Sequence, residues 1–550
     1  MKMALLSRPS ASTLLLYALR IALTLSPGYL HPDEFFQSLE PAAARLAGLD
    51  AAIPWEYESP PVRSWLPVAV LTGLPIYLLR YWTPFTPGAM ALLAASRLPY
   101  CVASFAVDFA LARVCHHFSP RTRGGDLLPP LLLLHASAWP TLVFGSRTFS
   151  NGIEAALFAV AIMLALTCRG PSRAHRTSLI LGSLLAAGCW VRFTFAFFWL
   201  PVAVHVAAAG PIPWLISVRA MALAAFLTAV ALFSADCCFI GLSTCMAAPW
   251  KFIAPLNNLA YNLQHPNLAS HGLHPRLTHA LVNLPLLFGP LAFSLGADVI
   301  ATFTARPPRA PANAMAPMLL RSERAMLLGA VAVPLVALSL APHQEARFLL
   351  PLQTPLLLLY GSTARSKFPW CTFNGALAAF FAFVHQAGVV RAMAHVQARG
   401  GASPPAVVVF SHSYMPPRSL LWQTTSPLPP AITVVDLLSN GSACDVMGAL
   451  REQLFTAKGR RGSLVVRVAL PALLARSVIA HGASDSCSQR TATNTWWRRV
   501  SSLWSMRLAF TLERRLWPHW SSEATPMSLH DAALEVYVVE TVRRGPFGSW

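Results

Sequence analysis

The property that most restricts what this chain can fold into is the recurrence of long apolar runs. They lie near 11–30, 65–82, 89–115, 128–146, 152–168, 178–191, 193–209, 220–243, 279–303, 325–341, 347–362 and 372–397. About 20 apolar residues cross the hydrocarbon layer of a bilayer as one helix. Inside lipid each backbone amide must be satisfied within its own segment, so the runs predict an all-α polytopic membrane protein of about 11–12 helices. Composition points the same way: 55% of the 550 residues are hydrophobic and 12% are charged. Soluble domains carry roughly 25% charged residues, so an ordinary soluble globule is excluded, and so is a disordered chain. The formal charge of +20 reflects a scarcity of acids rather than a basic face, and no nucleic-acid partner is expected. The first run has no small-residue cleavage site behind it; Pro27-Gly28-Tyr29 leads directly into a polar loop, as in a retained signal anchor.

Arginine clusters set the orientation. Arg169, Arg173 and Arg176, then Arg306, Arg309, Arg321 and Arg324, then Arg365 with Lys367, mark three loops for the cytosolic side. Alternation of the later runs then sends 244–278, His343 and everything after 397 to the lumenal side. Lys2 and Arg8 start the chain in the cytosol, with 31–64 in the lumen. Four runs lie between there and the loop at 169, where parity requires an odd number. The run at 65–82, which carries Pro67 and Pro75, is the one expected not to span. Beyond 400 the chain turns polar and Pro-interrupted, with strand-like pieces at Val407–Phe410 and Leu464–Val468. The expected organisation is a multispanning domain over 1–400 and a small lumenal α+β domain over 401–550. Asn440-Gly441-Ser442 is a glycosylation pattern suited to that side. Eight of the ten cysteines lie in or beside apolar runs and read as small core hydrophobes; Cys444 and Cys487 are left as a pair that an oxidising lumen would permit.

Three polar islands interrupt this background. Six of the 22 acids, Asp33, Glu34, Glu40, Asp50, Glu56 and Glu58, are crowded together near the first run. The first island reads His31-Pro32-Asp33-Glu34-Phe35-Phe36-Gln37-Ser38-Leu39-Glu40. Pro32 favours a helix start and the acids suit its positive end, which would place Phe35, Phe36 and Leu39 against the membrane surface. Simple capping of that helix is the alternative. The second, His343-Gln344-Glu345-Ala346-Arg347-Phe348, joins two apolar runs. Ionisable groups there point to a cavity or substrate path. Arg347 suits two-pronged recognition of a phosphate, and a Glu345–Arg347 pair closing a charged turn is the alternative. The third spans 249–279, from Pro249-Trp250-Lys251-Phe252 through Asn257, Asn258, Tyr261, Asn262, Gln264 and His265 to His271, His274 and His279. Rich in amides and histidines but without an acid, it suits hydroxyl-rich or anionic ligands better than a metal. Arg192, and Arg147, Asn151 and Glu154, mark two further polar turns.

The strings HPDEFFQSLE, SRTFSNGIE at 146–154 and HQEARFLLP, together with Pro54-Trp55-Glu56-Tyr57 and Arg63-Ser64, resemble the family 22 mannosyltransferases of the endoplasmic reticulum. Pro249–Phe252, the run Asn262–Asn283 and Ser413-Tyr414-Met415-Pro416-Pro417-Arg418 resemble the branch that adds a fourth, α-1,2-linked mannose to the third mannose of a GPI-anchor precursor. The likeness spans about residues 25–420; Ala346 stands where relatives often carry proline.

The resemblance implies a GT-C glycosyltransferase of the endoplasmic reticulum membrane with a lumenal site. Its donor would be dolichyl phosphate mannose and its acceptor a GPI-precursor glycolipid. No cofactor, metal or obligate protein partner is implied. The donor is β-linked and the product α-linked, so a single displacement with one general base suffices. Asp33 is expected to be that base, with Glu34 beside it, although the two could exchange roles. Arg347 is expected to meet the leaving phosphate, with His343, Lys251 and Arg192 as alternates. His31, Trp55, Asn262, Gln264 and Glu345 are expected to hold the sugars. The base and the phosphate-binding cation would share one pocket. A sister mannosyltransferase, and a polytopic lipid or sugar transporter, are the competing readings.

Overall fold

A computed structural model describes residues 10–83, 87–118, 128–168, 170–270, 272–304, 319–362, 367–400, 406–424, 432–438, 442–458, 465–483, 508–524, 528 and 531–541. The chain divides into two compact units. One comprises Met1–Thr24, Pro54–Pro75 and Ser96–Ala378; the other comprises Leu25–Ile53, Ile76–Ala95 and Ala379–Trp550.

All twelve apolar runs of the sequence are helical where described. Among the described residues, four helices, Ala89–Phe118, Ser150–Thr167, Trp214–Ile240 and Arg321–Ser339, are long and apolar enough to cross a membrane. Proline lies inside two of them, at Pro99 and Pro334, as membrane helices tolerate where neighbours re-satisfy the freed carbonyl. Other runs are shorter or interrupted. The run at 279–303 is not one helix: a π turn at His279–Asn283 leads into Leu284–Phe288, Gly289 takes φ 44°, and Pro290 starts Pro290–Phe303. A left-handed glycine before a proline that lacks an N–H forces that break.

The first unit buries charge among its helices, and two of these groups show how it is held. Arg20 meets Asp108 through two nitrogens, at 2.7 and 3.2 Å, and lies over the Phe105 ring at 4.4 Å. Asp236 accepts bonds from Ser64 Oγ (2.8 Å), Leu66 N (3.0 Å) and Trp190 Nε1 (3.0 Å). An ion withdrawn from water is stable only when partnered this way, so these contacts fix which helix faces meet. Cys101, Cys115, Cys237 and Cys245 are buried as expected, whereas Cys238 and Cys371 lie on exposed faces.

The second unit is built on a five-stranded sheet of order β2-β1-β3-β5-β4, with β1 Ala406–Phe410, β2 Ile432–Asp436, β3 Val465–Pro471, β4 Leu508–Leu516 and β5 Leu534–Thr541. β1 pairs in parallel with β2 and β3; β5 runs antiparallel to β3 and β4. Alternating valines explain it: Val407 and Val409 of β1 and Val466 and Val468 of β3 enter one core with Val446 and Leu450 of the helix Ala443–Lys458 and Val478 of Ala472–Ala483. The α+β reading of the tail is therefore what the structure shows. Cys444 is disulfide-bonded; its expected partner Cys487, and Asn440 and Gly441 of the glycosylation pattern, lie outside the described residues, as do Arg169, Arg306, Arg309 and Arg365.

The run at 372–397 differs from the sequence reading. Helix Lys367–Ala379 passes through a π turn, Phe380–Val384, and stops; Gln386 takes φ 51° before Ala387–Gly400 begins. The break is held from both sides within the second unit. His385 Nδ1 bonds the Tyr29 carbonyl at 2.8 Å, and Gln386 N donates to Trp520 O at 2.8 Å. Gly28 N donates to Ala382 O at 2.8 Å, and a Cβ at position 28 would collide with the carbonyl oxygens of Phe381 and Ala382.

Candidate functional site

In the second unit the loop after the first helix turns at Pro32 and enters a π turn, Phe35–Leu39, continued by the helix Glu40–Ala47. The two adjacent acids end in different surroundings. Glu34 is fully buried, and its carboxylate faces the Leu30 amide at 3.4 Å. Asp33 keeps 24% of its side chain exposed and accepts a 2.5 Å bond from Gln37 Nε2. The Asp33 amide donates to His31 Nδ1 at 3.2 Å, and the same nitrogen lies 3.4 Å from Asp33 Oδ1. Of the pair, Asp33 is the one a substrate can reach.

Phe35 and Leu39 are buried inside the protein rather than lying on a membrane surface, with Phe35 edge-on to Tyr29 at 4.7 Å. The π turn rotates them inward, where buried Tyr29 offers a partner. Glu40 was not identified from the sequence as a site residue, yet it organises the region. Fully buried, it accepts bonds from the amides of Ala52 (2.8 Å) and Ser419 (2.8 Å), so one carboxylate ties the acidic loop to the segment after β1. Burial raises its pKa, against the pull of those two amides.

In the first unit the turn at 343–347 is a chain of charges. His343 Nδ1 faces the Gly272 carbonyl at 3.0 Å and its Nε2 faces Glu345 Oε1 at 2.8 Å. Both partners are acceptors, so both ring nitrogens donate and the imidazole is charged. Burial opposes that charge, but the bonds to Glu345 and Gly272 prevail and the pKa is raised. The second oxygen of Glu345 takes the Nε–H of Arg347. Gln344 holds the turn from beneath: Oε1 accepts from His279 N at 2.8 Å, and Nε2 donates to the Ser339 carbonyl at 3.0 Å.

Around this turn each of three arginines has its own glutamate: Arg347 with Glu345, Arg192 with Glu154 at 3.3 Å, and Arg63 with Glu56 at 3.0 Å. Phe348 is shared, lying under Arg192 at 5.1 Å and Arg347 at 5.7 Å. Glu154 is fully buried and also accepts from Thr194 Oγ1 at 2.6 Å. Burial lowers the Arg192 pKa to about 10; Glu154 opposes this, while nearby Arg63 and Arg347 add to it. Three guanidiniums thus lie within electrostatic reach of one another, each angled by a carboxylate, and those of Arg192 and Arg347 are flanked by phenyl rings. The Glu345–Arg347 pair of the simple-turn reading is present, and it belongs to this larger arrangement. Arg63 and Glu154 were not selected from the sequence as site residues; Glu154 and Arg192 meet only through helix packing, whereas Arg63 and Glu56 lie seven residues apart in one loop.

Other expected residues have distinct surroundings. Trp55 is half exposed and stacks on Tyr261 at 4.7 Å. Asn262 gives its Nδ2 to Asn258 at 2.8 Å, and Gln264 Oε1 accepts from Asn267 at 3.2 Å, so part of each amide serves the local helix. Asn257 and Asn258 donate to the carbonyls of Pro61 (2.8 Å) and Val62 (3.0 Å), joining the third island to the segment that carries Arg63. Lys251 is exposed, and none of the contacts described for the arginines involves it. His271 lies outside the described residues. A cavity of about 210 Å³ lined by His205, Gly210 and Glu323, among others, holds none of the expected site residues.

Residues 12–423 match the Alg9-like mannosyltransferase family. The chain is 38% identical to human GPI alpha-1,2-mannosyltransferase 4 over 73% of its own length and 74% of the relative's. It is 33% identical to GPI mannosyltransferase 4 of Eremothecium gossypii, covering 74% and 76%, and 29% identical to that of Saccharomyces cerevisiae, covering 68% and 70%. No solved structure matches.

Proposed function

Because the chain belongs to the Alg9-like mannosyltransferase family and is a glycosyltransferase, we propose that it transfers mannose from dolichyl phosphate mannose, with inversion, to a GPI-anchor precursor. The product carries a fourth mannose, α-1,2 linked to the third. The names of the relatives support the acceptor class, and that of the human relative the linkage; the transporter reading has no support among them. The protein is a GT-C enzyme of the endoplasmic reticulum membrane, with a multispanning domain over 1–400, a lumenal domain over 401–550 and lumenal chemistry.

Asp33 is the general base. The observation that carries this assignment is the contrast in exposure between Asp33 and buried Glu34. As the acceptor hydroxyl attacks the anomeric carbon, the bond to the lipid phosphate breaks with both electrons on oxygen, and the hydroxyl proton passes to Asp33. Gln37 holds that carboxylate in place, His31 accepts from the Asp33 amide, and Glu34 secures the turn beneath it. A dolichyl phosphate leaves without protonation, so no general acid is needed. Arg347 and Arg192, joined by Arg63, stabilise phosphate charge, with His343 completing the cationic set through Glu345. Lys251, Trp55, Asn262 and Gln264 remain proposed substrate contacts.

The test is transfer from labelled dolichyl phosphate mannose to GPI precursors of two or three mannoses and to an N-glycan lipid precursor. The three-mannose GPI precursor should be extended, and the added label should be released by an α-1,2-specific mannosidase. Extension of another acceptor in its place would move the enzyme to a sister specificity.

A further inference from the structure

The segment after β1 carries Ser413–Arg418, a string whose chemistry the catalytic reading leaves unused. It leaves the carboxyl end of β1, the strand flanked by β2 on one side and β3 on the other, where successive connections diverge. In open α/β sheets that divergence opens a crevice in which ligands bind. In this unit the segment packs on the acidic loop. Tyr29 Oη donates to the Met415 carbonyl at 3.1 Å, and the Tyr414 ring stands edge-on to Tyr29 at 5.3 Å, His385 at 5.6 Å and His31 at 6.4 Å. His31 in turn holds Asp33.

The backbone that presents Tyr414 is strained and secured from several directions. His412 takes φ 54° and Gln386 φ 51°, both left-handed without being glycine. Gln386 Nε2 donates to Ser521 Oγ at 3.1 Å, Ser521 Oγ donates to the His412 carbonyl at 2.7 Å, and the Tyr414 amide donates to Gln386 Oε1 at 3.4 Å. Three stretches of chain are thus fastened to fix one turn, an arrangement that persists where a side chain must be held in a set place. Tyr29 is fully buried, whereas Tyr414 and His31 are half-buried and Met415 is exposed, so Tyr414 stands on the accessible side of the His31 ring that accepts from the Asp33 amide.

We propose that Tyr414 determines acceptor specificity: its ring seats the apolar C–H face of the acceptor pyranose whose hydroxyl Asp33 deprotonates. A pyranose is amphipathic, with axial C–H groups on one face and hydroxyls around its edge. An aromatic face beside a carboxylate and an imidazole fits that pattern, because stacking places the ring while the polar groups select the hydroxyl. The ring bearing the nucleophile, rather than the donor's, is assigned here because the base must lie beside the hydroxyl it deprotonates. The C-terminal sheet thereby contributes to substrate choice. The assignment rests on Asp33 being the base.

The test uses the full-length enzyme with labelled dolichyl phosphate mannose and a three-mannose GPI precursor, each varied in turn. Tyr414→Ala should raise the acceptor KM about tenfold, the scale of one lost aromatic contact, with donor KM and kcat at saturating acceptor unchanged. Tyr414→Phe should behave as wild type, and Tyr414→Leu, which keeps bulk in place of the ring should Ala fail to fold, should resemble Ala. An unchanged acceptor KM, a rise in donor KM instead, or wild-type behaviour of a folded Leu variant would overturn the assignment. Failure of the base reading is separable: it would show as full kcat in Asp33→Asn, whatever Tyr414 variants do to acceptor KM.

Discussion

The acidic loop of the second unit and the arginine turn of the first solve opposite problems. At the loop, two like charges are adjacent in sequence and the fold separates them, burying Glu34 and leaving Asp33 partly exposed. At the turn, like charges from distant segments are gathered, and each arginine is given a glutamate. A base must be reachable and need only be held, so one open carboxylate with a Gln37 clasp suffices. Cations that receive a phosphate, as proposed for these, repel one another, so they need counter-charges to stay assembled before the ligand arrives. Those same glutamates fix the guanidinium planes, which reduces the ordering required at binding.

Breaking the open side should have the largest effect. Asp33→Asn removes the proton acceptor while keeping size and most contacts, and kcat should fall about 10³-fold, within the usual range for a general base, with the thermal midpoint unchanged. Glu34→Gln should chiefly lower the thermal midpoint. Equal kcat losses in the two would dissolve the contrast between them.

Breaking the closed side comes next. Arg347→Ala leaves Glu345 with His343 alone and should raise the KM for dolichyl phosphate mannose by roughly 100-fold, while acceptor KM holds, with some stability lost as a buried pair is opened. Arg347→Lys should recover little, since an ammonium cannot reproduce the planar fork. Unchanged donor KM would reduce the turn to a structural feature.

A smaller effect is expected at Glu40, read by thermal unfolding. Glu40→Ala strands the amides of Ala52 and Ser419 and should cost about 2–5 kcal/mol, from two unsatisfied buried donors. Glu40→Gln should be milder, because burial already disfavours the charged form.

The smallest is a pH effect. The folded pKa of His343 is raised, so the stability it adds is complete below about 6.5 and is lost as pH climbs through the higher folded value. The thermal midpoint of His343→Gln should therefore decline less between pH 6 and pH 9 than that of wild type; parallel declines would mean that His343 is neutral in the folded protein.

The helices were legible because an apolar run in lipid has few alternatives, and the tail strands were legible from their valine repeats. The breaks at Gly289 and Gln386 were less so. Pro290 marks the first, but the second depends on bonds from Tyr29 and Trp520, residues remote in sequence. Asp33, His343 and Arg347 stood out because charge is rare in this chain. Glu40 did not, and Glu154 showed only as part of a polar turn, since what makes each of them matter is a partner fixed by packing, 379 residues away for Glu40 and Ser419 and 38 for Glu154 and Arg192. Phe35 and Leu39 were misplaced because a π turn changes the face that a regular helix would present.

The most direct measurement of the central claim is chemical rescue. Asp33→Ala and Glu34→Ala are each assayed for mannosyl transfer with increasing formate as a diffusible carboxylate. If the exposed acid takes the proton, formate should restore turnover in a saturable way to Asp33→Ala and not to Glu34→Ala. Rescue of Glu34→Ala alone, or of neither, would contradict the account.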